Sequence, residues 1–357
     1  MYTIGIIGAG PAGATLARLL ARRCRVLLLD DCRTKCCGGI LTPESQWMLA
    51  ELNLALPKTV LVNPQPYRVA VLDFDNDLTC NFGRQYVNID RAAFDKWLVS
   101  LIPTGVDRRR NARYRSAEKT EHGYRIHFIQ DEKECSEEVL YIAGADGANS
   151  TLRQEFFPKV PIPKRYIASQ YWYDMSESDL SDLPVNFMDD YTGIFSSLLT
   201  DFYAWTIPKN EYLILGGAFP FGTQSAEKME LLCQELERRY GLKLPEPVHR
   251  EAGQVFCPSK MSSVCLGSEK VILLGEAAGL VSPSSAEGIS SALISAYHLS
   301  ESFSPYHGYN YRVYRSRMRG QRFLLYLKGW KRLAMFRPWL RKWTLLSRMT
   351  AIRNAEK

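Results

Sequence analysis

The 357-residue chain contains no apolar run near the roughly 18 uninterrupted residues that a membrane-spanning helix needs, which predicts no such span. Residues 1–10 lack a basic stretch and carry Gly8 and Gly10, so they read as a first β-strand and not as a secretory signal. The five histidines have no metal-ligand spacing, and no CxxC pair occurs among the nine cysteines, which argues against a zinc or iron site. An odd cysteine count in a chain expected to be cytoplasmic predicts reduced thiols. Internal repeats and low-complexity segments are also missing.

What is present suits a folded protein. Hydrophobic residues make up 46% and charged residues 23%, so a sizeable core is affordable to the chain and disorder is not expected. The length suits two domains or one elaborated domain. The net charge of +7 is unevenly placed. From residue 312 to 357 there are fourteen Lys and Arg against one acid, Glu356, about +13, which leaves the remainder near −6. The basic character therefore belongs to the C-terminal segment.

Residues 2–7 read as a short apolar strand, 14–23 as a helix with Leu16, Leu19 and Leu20 on one face, and 25–30 as a buried strand. Together they form a strand–turn–helix–strand unit. A Cys- and Gly-rich loop over 32–46 leads into a helix near 44–52. Residues 67–82 alternate as strands of a different sheet, 90–101 form a helix, and 124–128 and 139–143 are strands. From about 165 to 256, aromatic and β-branched residues between turn signals predict a mainly antiparallel sheet. Residues 271–274 are a short buried strand, 286–303 a helix, and about 309–350 basic and helical.

The turn after the first strand is Gly8-Ala9-Gly10-Pro11-Ala12-Gly13. Gly8 permits a tight turn, Gly10 lets backbone approach a pyrophosphate, and Gly13 lets helix and strand pack closely. The phosphates would sit at the positive end of the helix dipole. Asp30 ends the second strand, seventeen residues after Gly13, where a carboxylate can accept from adenosine ribose hydroxyls. NAD and FAD both use this fingerprint. Two further strand ends favour FAD: 144–150 (GADGANS) with Asp146, and 275–279 (GEAAG) with Gly275 and Glu276. A flavin is long, and an acid after a strand can hold a ribityl hydroxyl.

These three segments resemble the FAD-dependent geranylgeranyl reductase-like flavoproteins of the p-hydroxybenzoate hydroxylase-type fold. The loop 37–43 (CGGILTP) is similar to that family's Cys-Gly-Gly loop, and 203–209 (YAWTIPK) to its aromatic YxWxxP motif. Length, loop and the GEAAG variant most closely resemble the CbrA subgroup of bacterial oxidoreductases. The resemblance implies that the 8–13 turn and Asp30 hold the ADP half, and that Cys37 and Gly38 lie beside the flavin. It places Arg91 near the phosphates, with Glu276, Gly288 and Ile289 at the ribityl chain and ring, and Tyr203 and Trp205 in the substrate cavity. The family usually has Asp where Glu276 stands.

The expected fold is α/β: a Rossmann-type FAD-binding domain from 1–65, 86–160 and 260–305, a mainly antiparallel substrate domain from 66–85 and 161–259, and basic helices over 306–357. The expected function is reduction of a carbon–carbon double bond in an apolar, isoprenoid-type or lipid substrate, with an external electron donor, either NAD(P)H or a reduced protein. Cys37, Tyr203 and Trp205 are the candidate catalytic residues. A lone GxGxxG means no dedicated nicotinamide domain. Two alternatives stand beside this: a monooxygenase or halogenase-like enzyme on an aromatic substrate, and a non-catalytic flavin-binding sensor. For the halogenase reading, the WxWxIP motif has Tyr203 at its first Trp, and Lys35 is the nearest loop lysine. The basic C-terminus predicts either peripheral contact with the inner face of a membrane or helices packed with their basic face in water. No nucleic-acid module accompanies its charge.

Overall fold

The computed structural model describes residues 1–178, 180, 183–258, 260–304 and 308–347. Residues 348–357 of the basic segment lie outside them.

A first sheet is built around β1 (Tyr2–Ile7), whose inward residues are apolar and buried. Pro11 opens α1 (Pro11–Leu20), where its missing N–H is no loss, so the helix starts three residues before the expected position. The chain returns through the fully buried β2 (Val26–Asp30). With β7 (Asp107–Arg110), β10 (Lys133–Gly144) and β16 (Val271–Leu273), these strands form a parallel set ordered β7-β2-β1-β10-β16. Strand β10 is long because its first half pairs antiparallel with β9 (Tyr124–Gln130), which pairs with β8 (Ala112–Lys119). The chain leaves β1 toward β2 on one side, while β10 lies on the other. The strand order therefore reverses at the C-terminal ends of β1 and β10, the crevice where α/β sheets take ligands.

The second sheet has the order β15-β11-β14-β13-β12-β4-β5. Its strands are β4 (Arg68–Asp73), β5 (Leu78–Gly83), β11 (Lys164–Asp174), β12 (Tyr191–Phe195), β13 (Ala204–Lys209), β14 (Tyr212–Pro220) and β15 (His249–Cys257). All neighbours are antiparallel except β4 and β12. Thus 68–83 joins the later strands, as the alternation over 67–82 implies.

One element inside this region is not a strand. Helix α5 (Ser225–Tyr240) buries Met229, Leu232 and Leu236 against one face of the sheet, beside Leu213 and Leu215. Its i, i+3, i+7 apolar spacing and the left-handed Gly241 that ends it are a helix signature embedded in sheet-like surroundings.

Short β3 (Ile40–Leu41) and β6 (Val87–Asn88) pair between the sheets, flanked by α2 (Pro43–Glu51) and α3 (Arg91–Ser100). Helices α4 (Thr151–Phe156) and α6 (Ile289–Ser300) cover the first sheet, with α6 against α1. The hairpin β17 (Phe303–Ser304)–β18 (Gly308–Tyr309) leads to the basic helices α7 (Tyr311–Arg317), α8 (Arg319–Met335) and α9 (Pro338–Leu346). Buried Arg341 of α9 fixes them to the second sheet, donating to Asp73 Oδ1 at 2.7 Å and Asp75 Oδ2 at 2.6 Å. No helix among the described residues is long and apolar enough to cross a membrane.

Candidate functional site

A single cavity of about 1030 Å³ runs from the turn after β1 to the second sheet. Of the residues singled out in the sequence, all but Gly13, Asp30 and Gly275 line it.

The three glycines of the first turn differ in what surrounds them. Gly8 has φ +100°, and a Cβ there would lie 2.6 Å from the Ala145 carbonyl oxygen. A Cβ on Gly13 would lie 1.8 Å from the Gly8 carbonyl oxygen, so only glycine lets α1 start against the strand. Gly10 meets nothing within 4 Å and faces open cavity beside the N-terminus of α1. Across the crevice, Asp146 follows β10. Its Oδ2 accepts from Leu152 N at 3.4 Å, but its Oδ1 is buried without a partner among the described residues. Burial raises the pKa of this carboxyl. An open glycine at a helix N-terminus, lining the same cavity as a carboxyl with one unpartnered oxygen, fits a diphosphate flanked by hydroxyl donors.

Asp30 ends β2 as expected, but its carboxylate is already held. Arg108 donates to Oδ2 at 2.5 and 3.0 Å, and the Cys32 amide to Oδ1 at 2.9 Å. The neighbouring Asp31 is the acid of this strand end that lines the cavity. Glu276 lies in the 3₁₀ turn after β16. Its Oε1 accepts from the Phe256 amide at 3.0 Å and its Oε2 from Lys35, so it joins the two sheets across the cavity. Lys35, the loop lysine, is thus an ion-pair partner of Glu276. Gly275 packs on Ala12 and Ala292. Gly288 and Ile289 open α6 into the cavity. Arg91 opens α3 and is clamped by Asp95 at 3.0 and 3.1 Å. Arg153 binds the carbonyls of Ala277, Pro161 and Ser263, a purely structural clamp.

The opposite wall is strand β13. A period of two puts Trp205, Ile207 and Lys209 on one face, with Tyr203 just before them. Trp205 lies over Gly216, where a Cβ would come 2.5 Å from its Nε1. That nitrogen donates to Gln170 Oε1 at 3.2 Å. Tyr203 donates to the Ser285 carbonyl at 2.9 Å and stacks on Phe195. The Cys-Gly-Gly loop crosses this face: a Cβ on Gly38 would lie 2.3 Å from Ile207 Cδ1. Cys37 lines the cavity, with its Sγ accepting from Gly39 N at 3.5 Å. Cys36 is different. Burial, then the nearby Glu251, push its thiol up to about 12, so it stays protonated and structural.

Several lining residues had no signal in the sequence. Gln170 and Tyr191 sit among many similar strand residues. The Gly216-Gly217 pair inside a strand did carry one, since it marks a close approach, here of Trp205. Lys209 ends the aromatic motif and is buried, donating to Asn88 Oδ1 at 2.5 Å, Ile89 O at 2.7 Å and Gly39 O at 3.1 Å.

The FAD-binding domain family matches residues 1–305. The protein CbrA of Escherichia coli O139:H28 is 36% identical over 358 aligned residues, covering 98% of each chain. Among solved structures, a geranylgeranyl bacteriochlorophyll reductase-like protein from Thermoplasma acidophilum shares the fold at TM-score 0.79 and 15% identity, covering 96% of this chain and 90% of that one. The p-nitrophenol 4-monooxygenase PnpA from Pseudomonas putida does so at TM-score 0.73 and 16% identity, covering 97% and 93%. The cofactor is FAD, and the chain belongs to the FAD-binding family of flavoprotein oxidoreductases, among the relatives of CbrA.

Proposed function

We propose that the protein reduces a carbon–carbon double bond of an apolar, isoprenoid-type substrate. FAD, once reduced by NAD(P)H or a reduced protein, supplies the hydride. The observation that carries this reading is the continuity of the cavity from the Gly8–Gly10 turn to the wall of Tyr203, Trp205 and Ile207.

Each residue then has a task. The amides at the start of α1 hold the pyrophosphate, with Arg91 nearby, and the end of β2 takes the adenosine ribose, with Asp31 lining the cavity and Asp30 behind it held by Arg108. Asp146 and Glu276 accept from the ribityl chain. Cys37, Gly38, Gly288 and Ile289 border the flavin ring. Tyr203 and Trp205 orient the substrate and exclude water, their polar atoms being tied to Ser285 and Gln170 so that apolar faces meet the cavity.

The C-terminal helices support peripheral contact with an anionic membrane surface, where such a substrate would be met. They pack on the body through Leu325, Met335 and Leu345, yet leave Trp330, Trp339 and Trp343 exposed among basic residues.

The test is anaerobic. Holoenzyme reduced with dithionite and mixed with geranylgeraniol should regain oxidised-flavin absorbance and give a product heavier by one molecule of hydrogen. Reoxidation only when oxygen is admitted, with oxygen in the product, would replace this reading with a monooxygenase.

A further inference from the structure

The aromatic end of the cavity is bordered by cations that no step above uses. Arg84, just after β5, and Lys328 and Lys331 of α8 all line it. The i, i+3 spacing places both lysines on one side of the helix. The Arg84 guanidinium lies 5.2 Å from the centroid of the Tyr86 ring. Tyr86 packs edge-on against Tyr191 at 5.5 Å, and the Tyr191 hydroxyl donates to that of Tyr203 at 3.4 Å. Cations and aromatic wall therefore form one surface.

Two acids, Glu44 and Glu287, share this end of the cavity. Glu44 accepts from Lys328 at 2.7 Å. Glu287 accepts from Ser290 N and Oγ, both at 2.8 Å, and from Ser45 Oγ at 3.1 Å. Neither neutralises the other two cations. Arg84 Nε is buried without an acceptor among the described residues. Lys331 has no hydrogen-bond or ion-pair partner among them, and the charges acting on it are the like ones of Arg84 and Lys328. Lys331 is an exposed residue at the cavity rim, yet desolvation and then those two charges draw its ammonium below the ordinary lysine range. A buried guanidinium nitrogen without an acceptor, with the unpaired charge of Lys331 beside it, is unfavourable until an anion reaches it.

We infer that Arg84, Lys328 and Lys331 form an anion subsite, and that the substrate is an amphiphile whose apolar body lies on Tyr203 and Trp205 while its terminal carboxylate or phosphate meets the three cations. This rests on the apolar-substrate reading above. A charge-assisted contact of this kind favours the charged ligand by about tenfold or more over a neutral analogue.

The experiment titrates FAD-loaded protein with dodecyl phosphate, dodecanol and inorganic phosphate, following the flavin absorbance so that only cavity binding is read. Wild type should bind dodecyl phosphate about tenfold more tightly than dodecanol, with inorganic phosphate far weaker. Lys331→Gln and the double variant Arg84→Gln/Lys331→Gln should lose that preference while keeping dodecanol affinity, which shows that they are folded. Arg315→Gln, an exposed change on α7, should keep it. Equal affinity for dodecyl phosphate and dodecanol, or a preference surviving in the double variant, would overturn the subsite and leave the apolar-cavity reading standing. Inorganic phosphate binding as tightly as dodecyl phosphate would overturn the amphiphile and leave a free-phosphate site. If neither alkyl probe perturbs the flavin, subsite and apolar-cavity reading fall together.

Discussion

The ammonium of Lys209 lies 3.1 Å from the carbonyl oxygen of Gly39, and this contact pins the Cys-Gly-Gly loop to the strand that carries Trp205. Gly39 sits at φ +61°, and a Cβ there would crowd both the Ile89 carbonyl oxygen at 2.2 Å and Lys209 Nζ at 2.8 Å. Three oxygens, from Gly39, Asn88 and Ile89, match the three hydrogens of the ammonium. Burial opposes that charge and pushes its pKa down to about 7 from 10.5.

Lys209→Met leaves Asn88 Oδ1 and Ile89 O without their donor, while Gly39 O keeps the Ile89 amide at 2.8 Å, which should cost roughly 2 kcal/mol or more. The native chain releases this proton near pH 7, while the unfolded chain keeps it until about 10.5. In that window the unfolded state binds more protons, so stability rises with pH. The thermal midpoint of wild type should carry this slope between pH 7 and 10, and the variant should lack it. Equal slopes in the two proteins would remove Lys209 from the explanation.

The glycines of the first turn give a contrast between folding and binding. Gly10→Ala adds a Cβ that meets nothing within 4 Å, so the apoprotein should melt as wild type does. That methyl projects where backbone must approach the pyrophosphate, and the FAD content of the purified protein should fall severalfold. Gly13→Ala forces a Cβ to within 1.8 Å of the Gly8 carbonyl oxygen, so its apoprotein should already be destabilised. Calorimetry on both apoproteins, with flavin content read from absorbance, separates the two roles.

The legible parts of this molecule were those whose signal is local. The turn from Gly8 to Gly13, the strand ends at Asp146 and Glu276, and the face of Tyr203 and Trp205 each follow from a few adjacent residues. Parallel pairing of β1 with β10 then brings strand ends far apart in sequence to one edge. Non-local partners stayed hidden. That Arg108 occupies Asp30, that Lys35 reaches Glu276, and that Lys209 holds Gly39 are contacts between segments far apart in the chain. The composition of 165–256 likewise concealed α5, whose three buried residues are its only apolar stripe. For the basic segment, charge alone could not separate packed from exposed residues, because both kinds alternate along α8 and α9.

Asp146 should behave as an acid waiting for a donor. Its unpartnered, desolvated Oδ1 disfavours the ionised form, and its pKa is raised from 3.8. The native apoprotein therefore holds this proton to higher pH than the unfolded chain, so apoprotein stability falls as pH rises above the ordinary aspartate value. Asp146→Asn should remove that fall and leave the neutral-pH apoprotein as stable as wild type or more so. FAD affinity should drop by about tenfold or more, the worth of one hydrogen bond to a charged acceptor. Flavin titration paired with melting of the apoprotein checks both halves, and unchanged affinity would exclude Asp146 from the cofactor site.

Arg341 joins the C-terminal helices to the second sheet, and its loss should be expensive. Its side chain is 3% exposed and that of Asp73 is 0% exposed. Arg341→Met would leave the carboxylates of Asp73 and Asp75 without their cation, at a cost of about 3–5 kcal/mol. The Gly8–Gly13 turn lies on the other sheet, so flavin should remain bound below the melting transition. A melting curve followed by flavin fluorescence tests both, and an unshifted midpoint would show that α9 is held by apolar contacts alone.

The two faces of α9 point to opposite environments, and this allows membrane contact to be tested without unfolding the helix. Arg341 and Leu345, four residues apart, turn into the body. Trp339, Trp343 and Leu346 follow the opposite stripe and are 61%, 70% and 55% exposed. Trp330 and Phe323 of α8 are each 60% exposed as well, in a stretch rich in Lys and Arg. A basic face in water needs no exposed tryptophans, whereas an interfacial helix uses them as anchors beside cations that meet anionic headgroups. Wild type should therefore sediment with vesicles containing phosphatidylserine and much less with neutral ones, and added salt should release it in part. Trp339→Ala/Trp343→Ala removes two anchors, each worth roughly 1.5–3 kcal/mol when buried, so partitioning should fall by on the order of tenfold or more. Because both rings are in solvent in the free protein, the melting temperature should be unchanged. Binding that persists in the double variant but vanishes with salt would assign the interaction to charge alone.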